Sequence, residues 1–397
     1  MLILFTFIVY IAPQMYYPTL RSFRMGLVSA GLSMLLMVKN NRGNFYLNTE
    51  IKLMLLIGLS SVALIPFSIW PGGSFEYFTD QLVKSLILFA LLSFIINGID
   101  KIQTIWIWLI LFCYFHAFDA IRDYLAGDFI GRSNRITGGV SPITSNPNDL
   151  ALTLVLVVPM AVSLLLGSDK KTVRLLCLGY LIISTIGIMC TYSRGGFLTL
   201  FVVYFLLVLK LTKRFGGKIL LFSLIAIVIF LMLSPTEYIE RLSSIRNFDK
   251  DTTGSATARW NLTIRGVELL LENPFTGVGL GMNILGVVAK GSGWHQVHNA
   301  YLQLGIELGV ICLAFYLALI FRLINNMRVL QKDIGKNLEL STVFFMSQGI
   351  EVSLIAFSIA AFFHPVAYHF YFYYIAGFAA SLKRIYSLAN RTELKAQ

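Results

Sequence analysis

The chain is built mainly from long runs of apolar residues, separated by shorter polar segments. Runs of about 17–25 apolar residues are long enough to cross a bilayer core of about 30 Å as α-helices. A transmembrane barrel would instead show segments of about ten residues with alternating polarity. The pattern therefore predicts an all-α polytopic membrane protein with about 12 transmembrane helices. We place these spans at roughly 2–16, 23–38, 51–70, 81–97, 104–120, 149–166, 173–190, 196–212, 218–233, 298–321, 342–363 and 366–382.

The composition excludes a soluble globular protein. Hydrophobic residues make up 57% of the 397 residues and charged residues only 13%, whereas soluble chains carry roughly 25% charged residues. The lipid bilayer is therefore the first predicted partner. Residues 1–11 lack the basic region and the cleavage site of a signal peptide, so we expect them to form a retained span. All four cysteines lie in apolar runs, where a role as small hydrophobic side chains is the simplest interpretation.

The basic residues are distributed unequally between the two sides of the predicted membrane. Nineteen of the 32 lysines and arginines fall in alternate connections and in the C-terminal tail, which the positive-inside rule assigns to the cytoplasm. Both termini are then cytoplasmic, and the net charge of +12 is mostly a topology signal, so we expect no nucleic-acid partner. On the opposite, outer side, ten of the 13 basic residues are arginine. The planar guanidinium group binds phosphate or carboxylate through two hydrogen bonds, which favours an anionic ligand there.

Two long segments lie on this outer side. The first, at about 121–148, contains Arg122, Arg132 and Arg135, and the second runs over about 234–297. In the second segment, apolar residues recur at helical spacing over 257–271, and a proline then ends the predicted helix. A long loop in a membrane protein is usually functional. We divide the chain into an N-terminal transmembrane region 1–145, a core 146–321 that includes the loop 234–297, and C-terminal helices with a cytoplasmic tail over 322–397.

Three arginines on the outer side are candidates for binding an anion. Arg194 begins a span beside Gly195 and Gly196, so a phosphate could bind there at a helix N-terminus, although the arginine could equally contact lipid headgroups. Arg259 and Arg265 point about 120° apart on the predicted outer helix. Arg265 has Glu268 three residues further on, which indicates a structural ion pair. Arg259 has no such acidic neighbour and is the better phosphate ligand.

The histidines His295 and His298 stand three residues apart at the start of a span. Zinc binding is possible in principle, but no Cys, Asp or Glu ligand lies nearby in the sequence, so we predict neither a metal ion nor a cofactor. His298 could instead act as a neutral base, because nearby cations favour the neutral imidazole. A capping or interfacial role is the plain alternative. His364 and His369 lie in a tight outer turn and could border the site.

Two carboxylates fall inside apolar spans, where an ionisable group is a functional candidate by default. Glu307 lies nine residues after His298 and faces the other side of the same helix, so we expect it to brace neighbouring helices. Glu351 could have either a functional role or a structural one. The glycines of Gly277-x-Gly279-x-Gly281 lack the strand–helix–strand context of a nucleotide-binding loop, which indicates a turn.

Several motifs in one order resemble the bacterial O-antigen ligase and O-antigen polymerase family. They span roughly residues 146–321, and the first 140 residues are similar only in hydropathy. The matching segments are Asn146-Pro147-Asn148-Asp149-Leu150-Ala151, Ser193-Arg194-Gly195-Gly196, Arg259-Trp260, Asn273-Pro274-Phe275-Thr276-Gly277-Val278-Gly279-Leu280-Gly281, His298-Asn299-Ala300-Tyr301-Leu302-Gln303 and Glu307-Leu308-Gly309.

This resemblance implies a glycosyltransferase of the bacterial inner membrane with a periplasmic active site. Its donor would be an undecaprenyl-diphosphate-linked glycan, and its acceptor lipid A–core, another lipid-linked repeat or a protein side chain. Ligase, polymerase and protein oligosaccharyltransferase therefore stay open, and a transporter of lipid-linked glycans is the rival from another class. By motif, Arg194 and Arg259 would bind the diphosphate and His298 would act as the base. The further substrate-binding candidates are Arg265, His295, Tyr301, Arg122 and Asn299.

Overall fold

The structure of the protein is a computed structural model. It describes residues 1–41, 47–129, 135–137, 141, 143–218, 255–291, 294–335 and 340–396. Its elements are all helical, and no β-strand occurs among these residues. The predicted span 218–233 lies almost entirely outside them, as does the lead-in of the long loop up to residue 254.

The helices are labelled here in chain order. They are α1 (Leu2–Tyr10), α2 (Met25–Asn41), α3 (Thr49–Leu64), α4 (Pro71–Ile95), α5 (Ile99–Ala126), α6 (Pro147–Gly167), α7 (Lys171–Cys190), α8 (Arg194–Phe215), α9 (Ser255–Glu272), α10 (Asn283–Ala289), α11 (Ala300–Ile334), α12 (Ser341–Ala360) and α13 (Phe370–Ala396). Short helical turns, Pro13–Tyr16 and Pro18–Phe23, connect α1 to α2, and Ile65–Phe67 follows α3.

Eight of these helices are long and apolar enough to cross a membrane: α3 to α8, α11 and α12, with α3 counted through Phe67. The helix α2 contains a shorter apolar stretch, Met25–Lys39. The predicted all-α polytopic membrane protein is therefore confirmed.

The first predicted span differs from the structure, since Ala12 adopts a left-handed conformation before Pro13 and ends α1. Proline has no N–H for the helical ladder, so the helix cannot continue through it unchanged.

The centre of the bundle is formed by α6 and α12, which are buried along most of their lengths. Ser163 of α6 donates a hydrogen bond to the carbonyl oxygen of Phe345 in α12, at 2.8 Å. Gly349 lets the two backbones approach, because a Cβ atom there would lie 2.7 Å from the carbonyl oxygen of Pro159. A similar close approach joins α6 to α8, where a Cβ atom on Gly196 would lie 2.4 Å from the Cβ of Ala151. The start of α8 is thereby fixed against the central helix.

The helix α11 is interrupted at Gly309, which has φ 74° and ψ 174°. The predicted span 298–321 therefore falls on a membrane-spanning helix, which extends to Ile334 and is broken at Gly309. The loop around Gly277 and Gly279 supplies the missing hydrogen bonds, and both glycines have positive φ, as a turn requires. The N–H of Val278 donates to the carbonyl oxygen of Ile306 at 2.8 Å, and that of Gly279 to Glu307 at 3.0 Å. Backbone groups freed inside a membrane must find such partners.

Buried carboxylates hold the bundle together at the end where α8 finishes. Glu351 lies 2.6 Å from the Nζ of Lys210 and 2.8 Å from the Nε of Arg328. Glu50 lies 2.9 Å from the Nε of Arg322 and 3.1 Å from the Nζ of Lys383. These contacts assign Glu351 a role in joining α8, α11 and α12.

Candidate active site

A cleft with an empty volume of about 380 Å³ opens where α6, α8, α9 and the end of α12 meet. We call it the cleft, and the end of the bundle that carries it the cleft end. Its lining residues are Asn148, Leu152, Val155, Ser193, Gly195, Gly196, Thr199, Arg259, Ala360, Phe363 and His364.

The N-terminus of α8 lies at the cleft and is held there by side-chain hydrogen bonds. Ser193 caps the helix by accepting from the N–H of Gly196 at 3.1 Å. The Ser193 hydroxyl in turn donates to Asn148 Oδ1 at 2.7 Å, and Arg135 donates to the same oxygen at 2.9 Å. The N–H of Gly196 is already bonded to Ser193, so it is not available to bind a ligand. The partial positive charge of the helix N-terminus remains beside the cleft.

The helix α9 carries the two arginines to different places, as their spacing predicted. Arg259 is half-buried and lines the cleft. Arg265 forms the predicted pair with Glu268 at 3.0 Å, and together with His295 it lines a separate groove. Arg194 is the first residue of α8, and its neighbours Ser193 and Gly195 both line the cleft. The structure therefore brings Arg259 and the start of α8 together and places Arg265 apart from them.

His298 belongs to a cluster of groups that influence one another electrostatically. Burial and then, in decreasing order, the charges of Arg259, His364 and His295 together lower the pKa of His298 to about 4. An imidazole in this environment stays neutral at pH 7, as expected from the sequence. His298 is half-buried, while His295 is exposed. Among the described residues, no group of three or more His, Cys, Asp or Glu side chains could hold a metal ion.

His364 stands in the cleft next to a buried carboxylate. Its Nε2 atom lies 2.8 Å from Oδ1 of Asp149, and the side chain of Asp149 is 7% exposed. The angle at this contact is outside hydrogen-bond geometry, so it is an electrostatic contact rather than a hydrogen bond. From the sequence, His364 was expected only to border the site. Its pairing with Asp149, 215 residues earlier, has no local signal in the sequence.

The remaining candidates have structural contacts. Tyr301 donates its hydroxyl to the carbonyl oxygen of Ser358 at 2.8 Å, and its ring centroid lies 4.8 Å from that of Phe362. Asn299 caps α11 by accepting from the N–H groups of Tyr301 and Leu302. These two residues therefore help to fix the start of α11 against the end of α12.

In the outer segment 121–148, Arg135 reaches the cleft, whereas the candidate chosen from the sequence was Arg122. Arg122 is 70% exposed and forms ion pairs of 2.6 Å with Asp119 and Asp123, outside the cleft lining. Arg135 instead contacts the cleft residue Asn148. Both fall in the predicted outer segment 121–148, where no pattern distinguishes them, so the sequence could not separate them, and the structure places Arg122 in the last turns of α5. Arg132 lies outside the described residues.

One family model matches the chain, that of the O-antigen ligase, over residues 179–317. No curated protein sequence matches it. The matched region begins within α7 and includes α8, α9, α10 and the first half of α11, and so contains Arg194, Arg259 and His298. Asp149 and His364 lie outside it. The match over residues 179–317 supports the resemblance of this chain to the O-antigen ligase/polymerase family.

Proposed function

We propose that the protein is an O-antigen ligase-like glycosyltransferase. It would move a glycan from undecaprenyl diphosphate to a hydroxyl group of lipid A–core, without a metal ion or cofactor. The observation that carries this proposal is the meeting of Arg259 with the N-terminus of α8 in one cleft, electrostatically coupled to His298. A cleft of this kind suits a diphosphate, because guanidinium groups and helix N-termini both stabilise phosphate.

Each group has a specific task in the proposed reaction. Arg259 and Arg194 bind the diphosphate and stabilise the charge that develops on its oxygen as it leaves the sugar. His298 accepts the proton of the incoming hydroxyl, a contribution typically of about 10²–10⁴-fold. Its lowered pKa keeps the imidazole neutral, and so able to accept a proton, at any pH above about 4. Direct attack by the acceptor on the anomeric carbon inverts its configuration.

The proposed location is the bacterial inner membrane, with the cleft on the periplasmic side. The support is the distribution of charge: Lys210, Lys213 and Arg214 cluster at the end of α8 opposite the cleft, and basic residues concentrate in cytoplasmic loops. Both termini are then cytoplasmic. The donor would reach the cleft after its transfer to the periplasmic leaflet.

The decisive experiment is a transfer assay with purified protein in lipid nanodiscs. The donor is a defined undecaprenyl-diphosphate glycan, and three acceptors are offered separately: lipid A–core, a second lipid-linked repeat and an acceptor protein. We expect glycosylated lipid A–core as the product. A lengthened lipid-linked glycan would instead identify a polymerase, and a glycoprotein would identify a protein oligosaccharyltransferase.

A transporter of lipid-linked glycans is the rival of a different class. Transporters place their binding groups near the bilayer midplane, between discontinuous helices, whereas Arg194 and Ser193 stand at the very start of α8. The break in α11 is filled by the 277–279 loop. If folded protein moved labelled donor between leaflets but transferred glycan to none of the three acceptors, the proposed activity would be wrong.

A further inference from the structure

The pairing of His364 with Asp149 adds a second histidine to the cleft, in surroundings unlike those of His298. His364 lines the cleft together with Arg259, and its Nε2 atom lies 2.8 Å from the Asp149 carboxylate. We propose that His364, held beside Asp149, binds the diphosphate of the donor as an imidazolium and donates a hydrogen bond to the oxygen that leaves the sugar. This inference rests on the proposed function.

The charge balance of the cleft supports this role. Asp149 is buried and sits in the first turn of α6, where Asn146 caps the helix and also contacts the carboxylate. An unpaired carboxylate at this place would repel an anionic ligand. A protonated His364 balances the charge of Asp149, so the pair presents no net negative charge to the ligand. An imidazolium has N–H donors on both ring nitrogens, so one can face Asp149 and the other a phosphate oxygen.

The charged and titratable groups around His364 come from several elements. Asp149 faces it from α6, and Arg259 from α9 across the same cleft. His298, before α11, and His369, before α13, both interact with it electrostatically. The α8 side of the cleft lining contributes the uncharged residues Ser193, Gly195 and Gly196, and the charged residue Arg194 stands between them as the first residue of α8.

The two histidines then divide the chemistry between them. Burial and neighbouring cations lower the pKa of His298, so it stays neutral and can accept a proton. His364 has a carboxylate at contact distance, whereas the charges that act on His298 are those of Arg259, His364 and His295. Enzymes assign acid and base roles by such differences in surroundings.

In the proposed step, the bond between the anomeric carbon and the phosphate oxygen breaks, and its electron pair stays on that oxygen. The acceptor oxygen forms the new bond to the anomeric carbon, and its proton moves to His298. The His364 N–H hydrogen-bonds to the departing oxygen and keeps its proton. The products are the glycosylated acceptor, undecaprenyl diphosphate and protonated His298, which returns its proton to solvent.

The test measures binding of undecaprenyl diphosphate to the full-length protein in nanodiscs between pH 5.5 and 8.5. We compare wild type with His364→Gln and His364→Lys. At pH 5.5 we expect His364→Gln to bind about tenfold more weakly, the size of one hydrogen bond to a charged group. The difference between His364→Gln and wild type should shrink as the pH rises, because an imidazolium loses its proton. His364→Lys should still bind tightly at pH 8.5, because a lysine ammonium group keeps its charge there.

The variants separate this inference from the proposed function. The ligand's own phosphate titrates near pH 6, so the differences between variants decide, and not the wild-type profile alone. If Arg259→Ala weakens binding while His364→Gln matches wild type at every pH, the proposed function stands and the role of His364 is refuted. If wild type itself does not bind undecaprenyl diphosphate, both the proposed function and the role of His364 are wrong. Should His364→Gln fail to fold, a His364→Lys protein with wild-type pH dependence would refute the role equally.

Discussion

The N–H of Val310 donates a hydrogen bond to the carbonyl oxygen of Pro274, at 2.7 Å. This contact joins the end of α9 to the second half of α11, directly after the break at Gly309. A small apolar cluster between α9 and the first half of α11 supports the same junction; its buried members include Leu262, Leu269 and Ile306. The positions of Arg259 and His298 relative to each other therefore depend on the break in α11.

Replacement of Gly309 by alanine tests this junction. The φ and ψ of Gly309 lie in a region open essentially to glycine, and a Cβ atom would lie 2.4 Å from the carbonyl oxygen of Phe275. We expect Gly309→Ala to destabilise the protein by at least about 1–3 kcal/mol from backbone strain alone. The measurement is the apparent melting temperature in detergent.

Gly31→Ala is the matched control for that substitution. Gly31 is exposed within α2, and a Cβ atom there meets nothing within 4 Å. Alanine in a helix interior is favoured over glycine by roughly 0.5–1 kcal/mol, so this variant should melt at or slightly above the wild-type temperature. Equal melting temperatures for Gly309→Ala and wild type would show that the break is not required.

Arg259→Ala should lower the rate of glycan transfer much more than it lowers stability. Loss of one preorganised donor to a developing charge typically costs about 10²–10³ in rate, and we expect a decrease of that order in kcat/KM for the donor. Lys290→Ala is the control, because Lys290 pairs with Glu272 in the same segment and lies outside the cleft lining. A similar decrease in both variants would point to a general loss of structure.

The lowered pKa of His298 predicts a dependence of stability on pH. The folded protein holds this histidine at a pKa of about 4, whereas an unfolded histidine titrates near 6.5. Between these values the unfolded state binds more protons, so stability falls as the pH decreases from about 6.5 to 4. His298→Asn removes this contribution.

The check is the difference in melting temperature between His298→Asn and wild type, measured from pH 7.5 to 4.5. The difference should shift in favour of the variant as the pH falls. Parallel curves over this range would contradict the lowered pKa. The measurement is independent of any role of His298 in transfer.

Glu351→Gln should reduce stability without reducing transfer by the folded protein. The substitution leaves Lys210 and Arg328 without their carboxylate partner. Breaking a buried pair typically costs about 3–5 kcal/mol, and we expect a smaller loss here because Arg328 is 54% exposed. Lys210 is sixteen residues along α8 from Arg194, which is about 24 Å. Lys210→Gln combined with Glu351→Gln should destabilise by less than the sum of the two single changes. Normal stability with reduced transfer in Glu351→Gln would reverse this assignment.

The direction in which side chains of one helix point could be derived from the sequence. Arg259 and Arg265 separate on α9 as helical geometry requires, and Arg265 pairs with Glu268 one turn away. Glu307 braces its surroundings by contact with Asn283 rather than sharing the cleft. The two relationships on α9 hold within a few residues, where the helical repeat alone decides which side chains meet, whereas the contact of Glu307 with Asn283 joins residues 24 positions apart.

The sequence by itself determined the all-α membrane class, most spans, the helix over the long loop and the family resemblance. All of these follow from apolar periodicity, from helix-ending residues and from motifs in a fixed order. Only the tertiary structure decided that His364 meets Asp149, that Arg135 rather than Arg122 reaches Asn148, and that α11 breaks at Gly309. Each of these depends on contacts between distant segments, and the packing of α6, α8 and α12 decides which segments meet.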